Sequence, residues 1–86
     1  MITLTLRHLK PGQSARVVRV HGQGSARAQG DLRRRIMEMG LTPGVGVRVL
    51  KVAPLGDPIE LRVRGYTLSL RRADAALVEV TLGRDA

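Results

Sequence analysis

Few side chains in this sequence could do acid–base or metal chemistry. His8 and His21 are its only histidines, and it has no cysteine, which excludes disulfides and thiolate ligands. A metal site would need both histidines to join a carboxylate such as Glu79 or Asp31, but two histidines without a local ligand motif rarely form one. No serine stands in a nucleophile motif. We therefore interpret His8 and His21 as surface residues and predict no catalytic residue, metal site or cofactor.

Positive charge is the extreme property of the composition. Fifteen Lys and Arg residues stand against seven Asp and Glu residues, for a net charge of +8. Such an imbalance favours an acidic partner, whether nucleic acid, an anionic membrane surface or an acidic protein. Arg33, Arg34 and Arg35 follow one another on a predicted helix, so their side chains point about 100° apart and cannot form one clamp. They form either a solvated face or a docking face for an acidic surface.

The helix that carries these arginines is predicted to begin at Asp31 and to end at Gly40. Asp31 can act as the N-cap, because its carboxylate accepts hydrogen bonds from first-turn amides. Gly40 can adopt the left-handed conformation that ends a helix in a Schellman motif, in which Leu41 packs back on Ile36. The apolar positions of one helical face are Leu32, Ile36 and Met39. Pro43 and Gly44 then suit a type II turn that leads into a strand.

Alternating apolar residues predict that the rest of the chain is mainly β with short helices. The predicted strands cover residues 3–6, 14–20, 45–52, 59–64, 67–71 and 78–82. Gly56 and Gly65 are assigned to turns, residues 72–76 to one helical turn, and the polar stretch 21–30 to a surface loop with one helical turn at residues 25–28. We predict one domain over residues 1–86, with a core of about 4–82 and a frayed tail at 83–86. Five to six such strands with one inserted helix describe a small, closed β-barrel.

Three blocks of the sequence resemble the FeoA family, the small ferrous iron transport protein A. Residues 37–44, Met-Glu-Met-Gly-Leu-Thr-Pro-Gly, resemble its helix-end signature, and residues 53–66 and 68–75 resemble the rest of its domain. The resemblance runs from about Leu6 to Val80 and implies an SH3-like barrel. It also implies an accessory or regulatory role in ferrous iron uptake, through binding to the cytosolic side of FeoB, a membrane transporter with a GTP-binding domain.

We place the partner-binding surface on the exposed side of the helix and on the turn that follows it. The candidate residues are Arg33, Arg34, Met37, Leu41, Thr42, Pro43 and Tyr66. Tyr66 is the only aromatic residue, and an amphipathic ring near a hairpin is either a lid on the core or an interface anchor. Met37 lies off the apolar helix face, so it contacts either a partner or the rim of the core.

Two other functions compete with this interpretation. Net charge +8 on a small barrel also suits nucleic-acid binding, although one tyrosine offers little for base stacking. A metal-sensing domain, suggested by similarity to the barrel of metal-dependent repressors, lacks ligands in this sequence. The chain shows neither a signal-like N-terminus nor a long apolar stretch, so we expect a cytoplasmic location, with no small-molecule substrate and with an anionic membrane surface as an additional contact.

Overall fold

The structure, a computed structural model, describes residues 4–21 and 27–83. Its main elements are six strands and two α-helices, and a 3-10 turn at Leu6–His8 follows the first strand. In chain order they are β1 (Leu4–Thr5), β2 (Ser14–Val20), α1 (Arg27–Glu38), β3 (Gly46–Val52), β4 (Ile59–Val63), β5 (Tyr66–Leu70), α2 (Arg72–Ala75) and β6 (Val78–Leu82). Strand residues therefore outnumber helical residues in the described chain, and α1 is the helix inserted between β2 and β3.

All strand pairs are antiparallel, and the sheet order is β1-β6-β2-β3-β4-β5. Every second side chain faces a core of Val, Leu, Ile and Ala, and no polar side chain among the described residues is buried. Ile36 and Leu41 attach the end of α1 to that core, where both are fully buried. The helix thereby fixes the position of the turn that follows it.

The β4–β5 hairpin sets the position of Tyr66. Arg64 and Gly65 connect the two strands with φ angles of +49° and +87°, the signs that a two-residue type I′ turn requires. Val63 and Tyr66 are then cross-strand partners, so Tyr66 begins β5 on the inward face of the sheet. Gly56, with φ of +86°, turns the loop between β3 and β4.

The predicted start of the helix is wrong. Helix α1 begins at Arg27, so Asp31 lies inside the helix and is not its N-cap. The preceding Arg27, Ala28 and Gln29 are strong helix formers, and a capping signal inside such a run does not stop the helix from extending toward its N-terminus. The predicted loop 21–30 is accordingly helical from Arg27 onward, and its residues 22–26 lie outside the described residues.

Two further differences concern the ends of the sheet. The first predicted strand shortens to β1, because Leu6 already belongs to the 3-10 turn. In the described chain β1 pairs only with β6, and β5 pairs only with β4. We predicted a closed barrel, but no backbone hydrogen bonds join β1 to β5 among the described residues. Gly83 donates to the Ser14 carbonyl at 3.1 Å, and the rest of the predicted tail lies outside the described residues. None of the described helices is long and apolar enough to cross a membrane.

Candidate interaction site at the end of helix α1

The C-terminal end of α1 is a Schellman motif. The Leu41 amide donates to the Ile36 carbonyl at 3.4 Å, and the Gly40 amide donates to the Met37 carbonyl at 3.0 Å. Gly40 has φ of +105°, which a residue with a side chain rarely adopts. The two hydrogen bonds satisfy carbonyls that the helix leaves without partners, and the chain leaves the helix in one defined direction.

Tyr66 lies against this helix end. Its hydroxyl donates a hydrogen bond to the Met39 carbonyl, a contact between residues 27 positions apart. A Cβ atom built on Gly40 would collide with the Tyr66 hydroxyl and lie 3.8 Å from Val63 Cγ1. Two features therefore favour glycine at this position: the positive φ of the backbone and the close approach of the Tyr66 hydroxyl. Tyr66 remains 42% exposed as a residue, so it both fastens the helix end and contributes to the surface.

The turn after the helix is held on its other side by strand β2. The Val45 amide donates to the Thr42 carbonyl at 3.1 Å, and Gly44 has the positive φ, +93°, that a type II turn needs at this position. The Gly44 amide donates to the Val17 carbonyl at 2.7 Å, and Arg16 Nη1 donates to the Gly44 carbonyl at 2.8 Å. Arg16 and Pro43 are exposed.

We call the exposed parts of Arg16, Thr42, Pro43, Gly44 and Tyr66 the helix-end surface. Tyrosine and arginine are enriched in protein interfaces, and here backbone contacts on both sides of the turn hold them in place. Arg16 was not predicted as a site residue, because its contact with Gly44 joins residues 28 positions apart and leaves no local signal in the sequence.

The predicted partner-binding residues separate into exposed and buried groups. Arg34 and Pro43 are exposed, and Thr42 is half-buried. Arg33 is an exposed residue, but its Nε donates to the Val20 carbonyl at 3.0 Å and ties α1 to the end of β2. Leu41 is 0% exposed, so its placement on the partner surface is wrong: the Schellman motif turns this residue into the core.

Met37 is partly buried and packs against the core cluster. We expect Met37→Asp to lower the free energy of unfolding by about 1–3 kcal/mol, because a carboxylate at the rim of an aliphatic core loses hydration without gaining a partner. Urea denaturation measures the effect. The control is Arg34→Asp on the exposed side of the same helix, which should change stability by no more than about 0.5–1 kcal/mol. If the two variants have equal urea denaturation midpoints, Met37 does not stabilise the core and stays a candidate for the partner-binding surface.

The two histidines make separate local contacts. His21 Nε2 lies 2.8 Å from Glu79 Oε1, and Arg19 Nε forms an ion pair with the same oxygen at 3.4 Å. His8 Nδ1 instead contacts Thr5, at 3.2 Å from the amide nitrogen and 3.1 Å from the hydroxyl. Within the described residues, no group of three His, Cys, Asp or Glu side chains is close enough to hold a metal ion. His21 and Glu79 thus form a surface hydrogen bond, and His8 caps a local turn.

The sequence is similar to part of a known transport protein. A curated relative from Porphyromonas gingivalis, an Fe(2+) transport protein A/Fe(2+) transporter FeoB fusion protein, is 43% identical over 79 residues. That match covers 92% of this chain and 9% of the relative, so the chain spans about a tenth of the length of that protein. The whole relative's activities therefore do not follow from this similarity.

Two solved structures share the fold along most of their length. A FeoA-like protein from Clostridium acetobutylicum superposes with a TM-score of 0.82 at 31% identity, covering 100% of this chain and 93% of that one. The zinc-complexed FeoA of Stenotrophomonas maltophilia, described as a prokaryotic SH3 domain protein, gives 0.76 at 30% identity and covers 91% and 89%. The predicted SH3-like, mainly β fold is confirmed. Because the FeoA domain model matches residues 4–82, this chain belongs to the FeoA domain family.

Proposed function

We propose that this chain is an accessory protein of ferrous iron uptake that binds the cytosolic side of a FeoB-type membrane transporter. The observation that carries the proposal is the Porphyromonas gingivalis relative, whose FeoA part, 43% identical to this chain, is covalently joined to a FeoB transporter. Fusion gives the second module a high effective concentration at the first, which benefits two modules that act together. A FeoA domain that is not fused to its transporter would gain the same proximity by binding.

The proposed mode of action is binding and regulation, without catalysis. The strongest pairing of titratable side chains, His21 with Glu79, lies at the surface between β2 and β6, with Arg19 as its third member. Glu79 is thus engaged by two partners, which does not favour a role as a general base. A module of this kind acts through the surface that it presents to its partner.

The helix-end surface is our proposed contact with the transporter. Tyr66 supplies an exposed apolar ring with little conformational freedom, since its hydroxyl is already bound to the Met39 carbonyl. Pro43 is rigid by nature, and Arg16 is held by the Gly44 carbonyl. Prior ordering of these groups lowers the entropy lost on association. Arg34, on the exposed side of α1, extends the surface with a charge for an acidic partner.

Nucleic-acid binding is the second candidate, and the net charge of +8 is the observation that favours it. Binders of single strands stack bases on several aromatic rings, whereas this chain has one tyrosine, which is engaged with the helix end. Attraction to phosphates alone gives association that weakens steeply with salt. We therefore place transporter binding first.

The test measures binding of the labelled chain to a FeoB-type transporter purified in detergent. We expect Pro43→Glu to weaken binding by about tenfold or more, equivalent to about 1.4 kcal/mol, because it removes a rigid apolar contact and adds a charge that opposes an acidic partner. Pro11→Glu is the matched control: Pro11 is an exposed proline in the other Pro-Gly turn, next to the start of β2.

Each outcome of this test has a defined meaning. Binding of the unmodified chain that persists at high salt and is lost in Pro43→Glu alone supports both the partner and the surface. Equal weakening by the two substitutions would contradict the placement on the helix-end surface. A chain that binds oligonucleotides at low salt but never the transporter would contradict the proposed partner.

A further inference from the structure

The outward face of strands β2 to β5 carries one continuous row of polar side chains. Ser14 is the cross-strand partner of Arg48, Arg48 of Arg62, and Arg62 of Thr67. Their neighbours along β3 and β4, such as Val47 and Val63, are buried on the opposite face. The row crosses four adjacent strands and spans about 14 Å, given the usual separation of neighbouring strands. We call these four residues the arginine row.

The sequence did not predict this row, because it depends on the strand register. In the sequence the arginines are distributed over several strands and the helix. Alternation assigns each strand arginine to the outward face of its own strand, but it does not show which arginines are neighbours. Pairing of β3 with β4 then sets Arg48 directly opposite Arg62, before the register shift that separates Val49 from Lys51. Two residues 14 positions apart in the sequence thereby become neighbours.

The charges of the arginine row are not balanced by the described part of the chain. Arg48 and Arg62 are exposed, and neither takes part in any of the four ion pairs found among the described residues. The next outward pair along the same two strands is balanced, with Lys51 Nζ 3.5 Å from Glu60 Oε2. Like charges directly opposite each other destabilise a sheet, whereas opposite charges stabilise it. The arginine row therefore weakens the fold and favours an external anion.

We infer that the arginine row binds the phosphate groups of anionic phospholipids, so that the outward face of the sheet lies against a membrane surface. Guanidinium groups bind phosphate oxygens in a bidentate manner, and the hydroxyl groups of Ser14 and Thr67 add donors at both ends of the row. A sheet face offers a broad contact with many headgroups, and the net charge of +8 attracts the whole chain to an anionic surface.

Phospholipid fits the row better than nucleic acid does. The four residues of the row include no aromatic side chain on which a base could stack. The inference does not rest on the proposed transporter, because vesicles without any protein can test it. It is compatible with that function, since a chain held at the membrane surface is concentrated where the cytosolic parts of a membrane transporter lie.

The experiment is sedimentation of the intact chain with vesicles of phosphatidylcholine alone or mixed equally with phosphatidylglycerol. We expect binding to the anionic vesicles only, and the double substitution Arg48→Gln/Arg62→Gln should weaken it by about 30-fold. The control is Arg7→Gln/Arg35→Gln, at two exposed arginines that belong to no ion pair among the described residues. Each double substitution removes two positive charges from arginine, so an effect of net charge alone would weaken vesicle binding equally in both variants.

A thermal melt accompanies the vesicle assay. Arg48→Gln/Arg62→Gln should melt no lower than the unmodified chain, since it relieves the repulsion between the two guanidinium groups. A selective loss of vesicle binding in this folded variant supports the inference. It is overturned if the anionic vesicles do not bind the chain, if both doubles lose binding equally, or if the row is needed for oligonucleotide or acidic-peptide binding while vesicle binding is unaffected.

Discussion

Gly40→Val is expected to destabilise the protein by about 3 kcal/mol or more, which for a domain of this size lowers the Tm by roughly 12 °C or more. The backbone contributes one part, because a β-branched residue resists the φ of +105° found at Gly40. The other part comes from Tyr66, whose hydroxyl occupies the space of the new Cβ atom and must give up its hydrogen bond to the Met39 carbonyl. Thermal melting followed by circular dichroism measures the total.

Gly44→Val separates the two causes. Gly44 has a similar φ of +93°, but a Cβ atom built there meets nothing within 4 Å. Its substitution should cost only the backbone strain, about 1–2 kcal/mol. If Gly40→Val and Gly44→Val lower the Tm equally, the contact between Tyr66 and the helix end does not contribute to stability.

A double-mutant cycle isolates the hydroxyl itself. In a Tyr66→Phe background the nearest remaining atoms to a Cβ on Gly40 would be the ring carbon Cζ at 3.5 Å and Val63 Cγ1 at 3.8 Å, which are ordinary contacts. Gly40→Ala should therefore cost less in this background than in the unmodified chain, by at least the 0.5 kcal/mol or so that such cycles resolve. Equal costs in both backgrounds would assign the whole effect of Gly40→Ala to its φ.

Local sequence chemistry predicted those features that depend on adjacent residues. The glycine that ends α1, the Pro-Gly turn after it and the alternation of β4 and β6 each follow from conformations that only certain residues adopt. The start of α1 was missed because helix propensity before Asp31 outweighs one capping signal. Capping marks where a helix can begin, and it does not forbid an earlier start.

The candidate sites, in contrast, depend on pairs of residues that are distant in the sequence. Tyr66 reaches Met39 only because the β4–β5 hairpin and the packing of α1 are both in place. Arg48 meets Arg62 only in one strand register, and a slip by one residue would turn one of them inward. Composition showed that arginine was abundant, but a single sequence carries no signal for which arginines become neighbours.

Leu41 illustrates how a correct local motif can still mislead about function. The sequence pattern predicts that Leu41 packs back on Ile36, yet we also placed Leu41 on the partner-binding surface with Thr42 and Pro43. The predicted packing and the surface assignment exclude each other: Leu41 is directed back toward Ile36 and is buried, whereas Thr42 is half-buried and Pro43 is exposed. Pro43 and Thr42 remain candidates for partner contact, whereas Leu41 belongs to the core.

We expect Leu41→Ala to lower the free energy of unfolding by about 2–5 kcal/mol, because Leu41 is 0% exposed and truncation leaves a cavity beside Ile36 and the strands. Leu55→Ala is the matched control, since the same atoms are removed from a side chain that is 92% exposed, and it should change stability by no more than about 0.5 kcal/mol. Urea denaturation of both variants at one temperature gives the comparison.

Binding to the transporter then tells whether Leu41 also contacts the partner. At a temperature where Leu41→Ala remains folded, its affinity should match that of the unmodified chain to within about threefold, since a buried side chain makes no direct contact. A Leu41→Ala variant that melts like Leu55→Ala but no longer binds the transporter would place Leu41 at the interface. The helix-end surface would then have to open for the partner to reach it, and the Schellman motif would be the part of the fold that moves.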